Sequence, residues 1–123
     1  MELIIGGAYQ GKRAWAKERF SLTDADIFAC EGLDVDNTRR CLCHLERFTL
    51  ACAQKGLDPR EVWNFSACRD KILIADDISC GVVPMDPVTR AWREDTGRFL
   101  TKLAGEADGV TRIFCGLPLR LKG

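Results

Sequence analysis

Leu3-Ile4-Ile5-Gly6-Gly7-Ala8-Tyr9-Gln10-Gly11-Lys12-Arg13 is the stretch from which the fold of this chain is read. Three apolar residues fit a short buried strand, and the paired glycines end it. From Gly11 to Phe20 the chain reads as a helix, with Ala14, Trp15 and Ala16 favouring it and Lys17-Glu18-Arg19 as its polar face. Strand, glycine-rich turn and helix in that order match the P-loop spacing Gly-x-x-x-x-Gly-Lys from Gly6 to Lys12. The match fails at the final Ser/Thr, where Arg13 stands. Glycines let backbone N–H groups curl around phosphate oxygens, and the start of a helix adds partial positive charge. Gly6, Gly7, Ala8, Tyr9, Gln10, Gly11, Lys12 and Arg13 are therefore the expected nucleotide phosphate-binding residues, with Lys12 reaching the β- and γ-phosphates. Arg13 removes the hydroxyl that ordinarily ligates Mg²⁺ and supplies a group that contacts phosphate directly. ATP or GTP binding with little dependence on Mg²⁺ is the expectation, and no metal site is assigned. The alternative is a glycine-rich turn that binds nothing.

Outward from this stretch, strands and helices alternate. Asp26 to Cys30 reads as a second buried strand, and Thr38 to Lys55 as a helix closed by Gly56. A short helix from Pro59 to about Phe65 follows. Lys71 to Ala75 is a strand apolar on both faces, ended by Asp76-Asp77, and Val82-Val83-Pro84 crosses a loop. Asp86 caps a long helix with Pro87 at its first position, and Val88, Trp92, Phe99 and Leu103 form its buried face. Arg112 to Cys115 reads as the last strand, broken by Gly116-Leu117-Pro118. This pattern predicts an α/β fold, a P-loop-type parallel sheet with helices on both faces. A length of 123 residues fits one shortened domain spanning 1–123.

Eighteen basic residues balance eighteen acidic ones, which argues against a general nucleic-acid or membrane-surface binder but not against one local anion site. No signal peptide is legible at the N-terminus, and no apolar run is long enough to span a bilayer. A cytoplasmic setting with its seven cysteines as thiols is expected. Cys41 and Cys43 would point to opposite sides of the predicted helix, a poor geometry for a shared metal. Cys41, Leu45, Phe48 and Cys52 would form one core stripe. Ligands of parallel α/β sheets lie beyond the carboxyl ends of strands, so Asp76 and Asp77 are candidates to face the phosphates, as is Glu31 with a weaker claim. Lys12 and Asp77 are the candidate catalytic residues. Their alternative reading for the aspartates is simple solvation of a turn. Arg90, Glu94 and Arg98 read as ordinary ion pairs along a helix. His44, the one histidine, sits mid-helix and is not expected to act as a nucleophile.

With these residues in view, the sequence resembles the adenosylcobinamide kinase / adenosylcobinamide-phosphate guanylyltransferase family of cobalamin biosynthesis. One block is Leu3 to Ala8 followed by Gly11-Lys12. The other runs from about Ile72 to Lys122 and includes Asp77, Gly81-Val82-Val83-Pro84, Arg90, Arg93-Glu94, Gly97-Arg98, Ala107-Asp108 and Gly116-Leu117-Pro118-Leu119. The resemblance implies a P-loop fold, a kinase acting on the cobinamide hydroxyl, and guanylyl transfer through a covalent histidine. Only Ser21 to Ala25 separates the first helix from the next strand, so the family's histidine-bearing segment is expected to be missing and His44 is not its equivalent. Guanylyltransferase activity is thus expected to be lost, and Arg13 puts kinase activity in doubt. Three readings stay open: a nucleotide- or phosphate-binding pseudoenzyme, a trimmed ATP- or GTP-dependent cobinamide-type kinase, and a non-binding interaction module. The first and last would partner a full-length paralogue, and a homo-oligomer is also compatible.

Overall fold

The computed structural model describes residues 1–78 and 86–123. Six strands form one sheet in the order β2-β3-β4-β1-β5-β6. They are β1 (Glu2–Gly6), β2 (Ile27–Ala29), β3 (Cys41–Cys43), β4 (Ile72–Asp76), β5 (Gly109–Phe114) and β6 (Leu117–Lys122). β1 lies centrally, parallel to β4 on one side and to β5 on the other, while β6 returns antiparallel to β5. The helices are α1 (Lys12–Arg19), α2 (Leu45–Gln54), α3 (Pro59–Val62) and α4 (Pro87–Glu106). No helix among the described residues is long and apolar enough to cross a membrane.

The period of two along each strand sorts the core into two layers. Leu3, Leu42 and Leu73 point to one face and pack with Phe48 and Cys52 of α2, Trp63, and Phe99 and Leu103 of α4. Ile4, Cys41, Cys43, Ile72, Ile74 and Ile113 point to the other and meet Ala16, Trp15 and Phe20 in and just after α1. Helices therefore cover both faces, as the buried strands required, and among the described residues eight-residue α1 is the helix that covers the second. Asp86 caps α4 as its sequence implied, its carboxylate accepting from the Thr89 N–H at 2.8 Å with Pro87 in the first turn. Val88 does not join the buried face: it sits in the first turn, exposed, and Thr96, Phe99 and Leu103 form the buried stripe.

Three expectations need correction. The helix read over 38–55 is two elements, since Cys41-Leu42-Cys43 is a fully buried strand joined to both β2 and β4. A three-residue apolar strand running directly into a helix has no breaker to mark it. The single stripe through Cys41 accordingly splits, with Cys41 in one core layer and Leu45, Phe48 and Cys52 in the other. The last strand is longer than 112–115, and Cys115-Gly116 is a turn rather than a stop, leading into β6. Both turn residues have positive φ, 51° and 77°, which is the two-residue hairpin geometry. The sheet is thus parallel except at this edge. The expected loop at Val82-Val83-Pro84, and Gly81 beside it, lie outside the described residues.

Candidate phosphate site

All parallel strands end their carboxyl termini on one side, and the glycine-rich loop closes over that end of β1. Gly6 is required there by space: a Cβ would stand 2.5 Å from the Ile113 carbonyl oxygen of β5. Beyond it, the Gly7 carbonyl accepts from Lys12 Nζ at 2.7 Å. Gly11, with φ of 89°, turns the loop into α1 without a side-chain cap, leaving the first N–H groups of the helix to an incoming acceptor. Lys12 bends back beneath the loop and pairs with Asp76 Oδ1 at 2.6 Å, its side chain only 7% exposed and that of Asp76 25%. Because Gly6 and Asp76 are register partners in adjacent parallel strands, the lysine and the carboxylate meet across the β1–β4 seam.

The loop residues do not all face one way. Tyr9 is fully exposed in the left-handed region, φ 59°. Gln10 is tied to the β5–β6 turn, its Oε1 accepting from the Cys115 N–H at 2.6 Å and its carbonyl from the Gly116 N–H at 2.8 Å. Arg13 leans out to Asp24 at 3.2 Å and is half exposed. Lys17 shares the same carboxylate, and its hydrogen bond and charge, followed by those of Arg13, hold Asp24 below the ordinary aspartate range. Asp77 lies one residue past β4 with its N–H bonded to the Gly6 carbonyl at 2.7 Å, while Asp76 is the aspartate that lines the cavity. Glu31, the weaker candidate, is exposed and does not line that cavity.

A cavity of about 390 Å³ opens between loop residues 8–14 and a facing wall of Cys43, His44, Arg47, Ile74 and Asp76. The sequence reading missed this wall because it ran a helix through it. His44 is the residue before α2, in the left-handed conformation at φ 57°. Its Nδ1 lies 3.2 Å from Glu46 Oε2. With Nδ1 engaged there, Nε2 is the ring's remaining polar atom. Glu46 Oε1 in turn accepts from the Asp76 N–H at 2.9 Å, and the Glu46 carbonyl from the Trp92 indole N–H at 2.8 Å. Buried Glu46 thus joins the end of β4, the start of α2 and the middle of α4.

His44, Glu46 and Asp76 offer ligand atoms within 4.8 Å of one another. Each already has a protein partner, and a mixed imidazole–carboxylate set suits transition metals better than Mg²⁺. Arg13, in the hydroxyl position, offers no ligand atom to Mg²⁺. Among the described residues, the thiols near the site are poor ligands. Burial pushes Cys30 and Cys41 up to about 12 and raises Cys43, which lines the cavity. In the strand Cys41 and Cys43 share one face, contrary to the helical reading, yet both stay protonated at neutral pH. Peptide mapping after iodoacetamide treatment of the native protein should therefore find Cys115, which is exposed, alkylated, and Cys30, Cys41, Cys43, Cys52 and Cys68 alkylated only after unfolding.

Residues 59–121, just over half of the chain, match the family described as cobinamide kinase / cobinamide phosphate guanyltransferase. The matched segment runs from α3 through β4 and α4 into β6, and thus includes Asp76 and Asp77 but begins after the loop and after His44. No curated protein matches the chain.

Proposed function

The chain belongs to the cobinamide kinase / cobinamide phosphate guanyltransferase family, and from that premise we propose that it binds the polyphosphate of ATP or GTP in the cavity between loop and facing wall, without a Mg²⁺ requirement and without guanylyl transfer. The observation that carries this reading is Lys12. A lysine is held almost wholly buried at the end of the central strand, between Gly7 O and Asp76, where only an incoming anion gives it a better partner. Gly6, Gly7, Ala8, Tyr9, Gln10 and Gly11 supply backbone to the phosphates, and Lys12 with Arg13 supplies charge. Asp77, proposed from the sequence as catalytic, stands beside this seam and Asp76 within it.

Cation charge beside the phosphates is what Mg²⁺ normally provides. Lys12, Arg13 and Arg47 around one cavity supply that charge from the protein, which supports metal-independent binding over metal-assisted transfer. Titration calorimetry with ATP and GTP, in EDTA and in excess Mg²⁺, is the test. Affinities within about threefold of each other are expected, on the order of 0.6 kcal/mol. Binding seen only with Mg²⁺, together with phosphorylation of cobinamide, would favour the trimmed kinase. Absence of binding at millimolar nucleotide would leave the interaction module, a folded partner for a full-length paralogue.

A further inference from the structure

We infer that His44 and Arg47, on the wall facing the loop, form a second phosphate subsite that receives a terminal phosphate dianion, distinct from the phosphates held by the loop. The inference rests on the loop's binding a polyphosphate and assigns the opposite side of the same cavity.

The two walls differ in origin. The loop wall comes from the turn between β1 and α1 and the start of α1, and the facing wall from the carboxyl ends of β3 and β4 and the first turn of α2. Arg47 is exposed and forms no ion pair among the described residues, unlike Arg13, which Asp24 engages. His44 has Nδ1 committed to Glu46, which fixes the ring and leaves Nε2. Glu46 of α2 contacts this imidazole and Asp76 of β4 lies near it, while Arg47 of α2, Cys43 of β3, and Lys12 and Arg13 of α1 line the same cavity. Glu46 is a positioning residue: it holds the His44 ring with one carboxylate oxygen and the Asp76 backbone with the other. A guanidinium and an imidazole lining one cavity suit a dianionic, multi-acceptor group. A histidine kept at φ 57° is also costlier than the glycine that a purely structural turn could take.

Such a dianion has two sources, the third phosphate of a nucleoside triphosphate or the phosphate of a second ligand. Calorimetry with ADP, ATP, GDP, GTP and inorganic tripolyphosphate separates them, read alongside NMR of the imidazole signals. These need no assignment, because His44 is the chain's one histidine. For the first source, Arg47→Ala is expected to weaken ATP, GTP and tripolyphosphate roughly tenfold while ADP and GDP change less than twofold. Arg47→Lys should recover part of the loss, and the imidazole signals should move with triphosphates and not diphosphates. For the second, the signals of the diphosphate-loaded protein should move when inorganic phosphate is added. Equal loss of di- and triphosphate affinity in Arg47→Ala, or imidazole signals indifferent to every phosphate, would overturn the inference. Failure of the unsubstituted protein to bind any of these ligands would instead sink the loop reading, and this subsite with it.

Discussion

Lys12→Ala is expected to weaken nucleotide binding by about 100-fold, the equivalent of roughly 3 kcal/mol of charge-assisted hydrogen bonding to phosphate. It should also lower the stability of the nucleotide-free protein. Lys12 is not a free cation waiting on the surface; it neutralises Asp76 at 2.6 Å in a site where its own side chain is 7% exposed. Removing one member of a fully buried pair costs about 3–5 kcal/mol, because the other charge is stranded. Asp76 retains a quarter of its exposure, so water screens part of that penalty and about 1–2 kcal/mol is the expected loss. Urea unfolding of Lys12→Ala, Asp76→Asn and the double substitution separates the two roles. The double variant should regain most of the lost stability, since no charge is left unpaired, yet bind nucleotide as poorly as Lys12→Ala. Recovery of binding in the double variant would mean that Asp76, and not the phosphates, is the chief partner of Lys12.

The loop, its strand and its helix were legible because their residues work locally. Gly6, Gly7 and Gly11 recur at a fixed spacing between a short apolar run and a helix-forming one, although the close approach Gly6 allows is to Ile113 of distant β5. The apolar runs at 3–5 and 71–75 have the length of buried strands. The α4 cap was legible for the same reason, an aspartate and a proline at fixed offsets. The facing wall was not. Cys41-Leu42-Cys43 is too short to show a period, and the residues after it do follow a helix, so continuity favoured one element where there are two. The left-handed residue dividing them is a histidine, which marks such positions far less often than glycine. The link from Glu46 to Asp76 spans thirty residues and the link from Trp92 to Glu46 forty-six, and nothing in the local sequence carries either. Gln10 shows the same limit. Its amide oxygen is engaged by the Cys115 N–H, more than a hundred residues away in sequence, a side-chain role the loop spacing does not carry. The hairpin that Gln10 meets was hidden by Gly116 and Pro118, residues that read equally well as the end of a strand.

Phe99→Ala is expected to destabilise the fold by about 3–5 kcal/mol, a large part of the 5–15 kcal/mol typical of a whole domain. The ring is fully buried and sits at the centre of an aromatic layer, its centroid 5.5 Å from that of Trp63, 6.0 Å from Phe48 and 6.1 Å from Phe65. These rings come from four places in the chain and fill the space between α2, α3 and α4, which no single neighbour can occupy after truncation. Urea denaturation should show the midpoint falling with little change in slope. Phe114→Ala serves as the control, because that residue is 63% exposed at the end of β5 and its loss should cost no more than about 0.5 kcal/mol. The same layer fixes the distance between α2 and α4, across which the Trp92 indole reaches the Glu46 carbonyl and so steadies the wall of the phosphate cavity. Phe99→Leu, which keeps most of the volume, should therefore stay folded at 25 °C and lose triphosphate affinity relative to diphosphate affinity, since the disturbance reaches His44 and Arg47 before it reaches the loop. A Phe99→Leu protein that is destabilised but binds both nucleotides unchanged would show that the aromatic layer supports the fold without setting the geometry of the site.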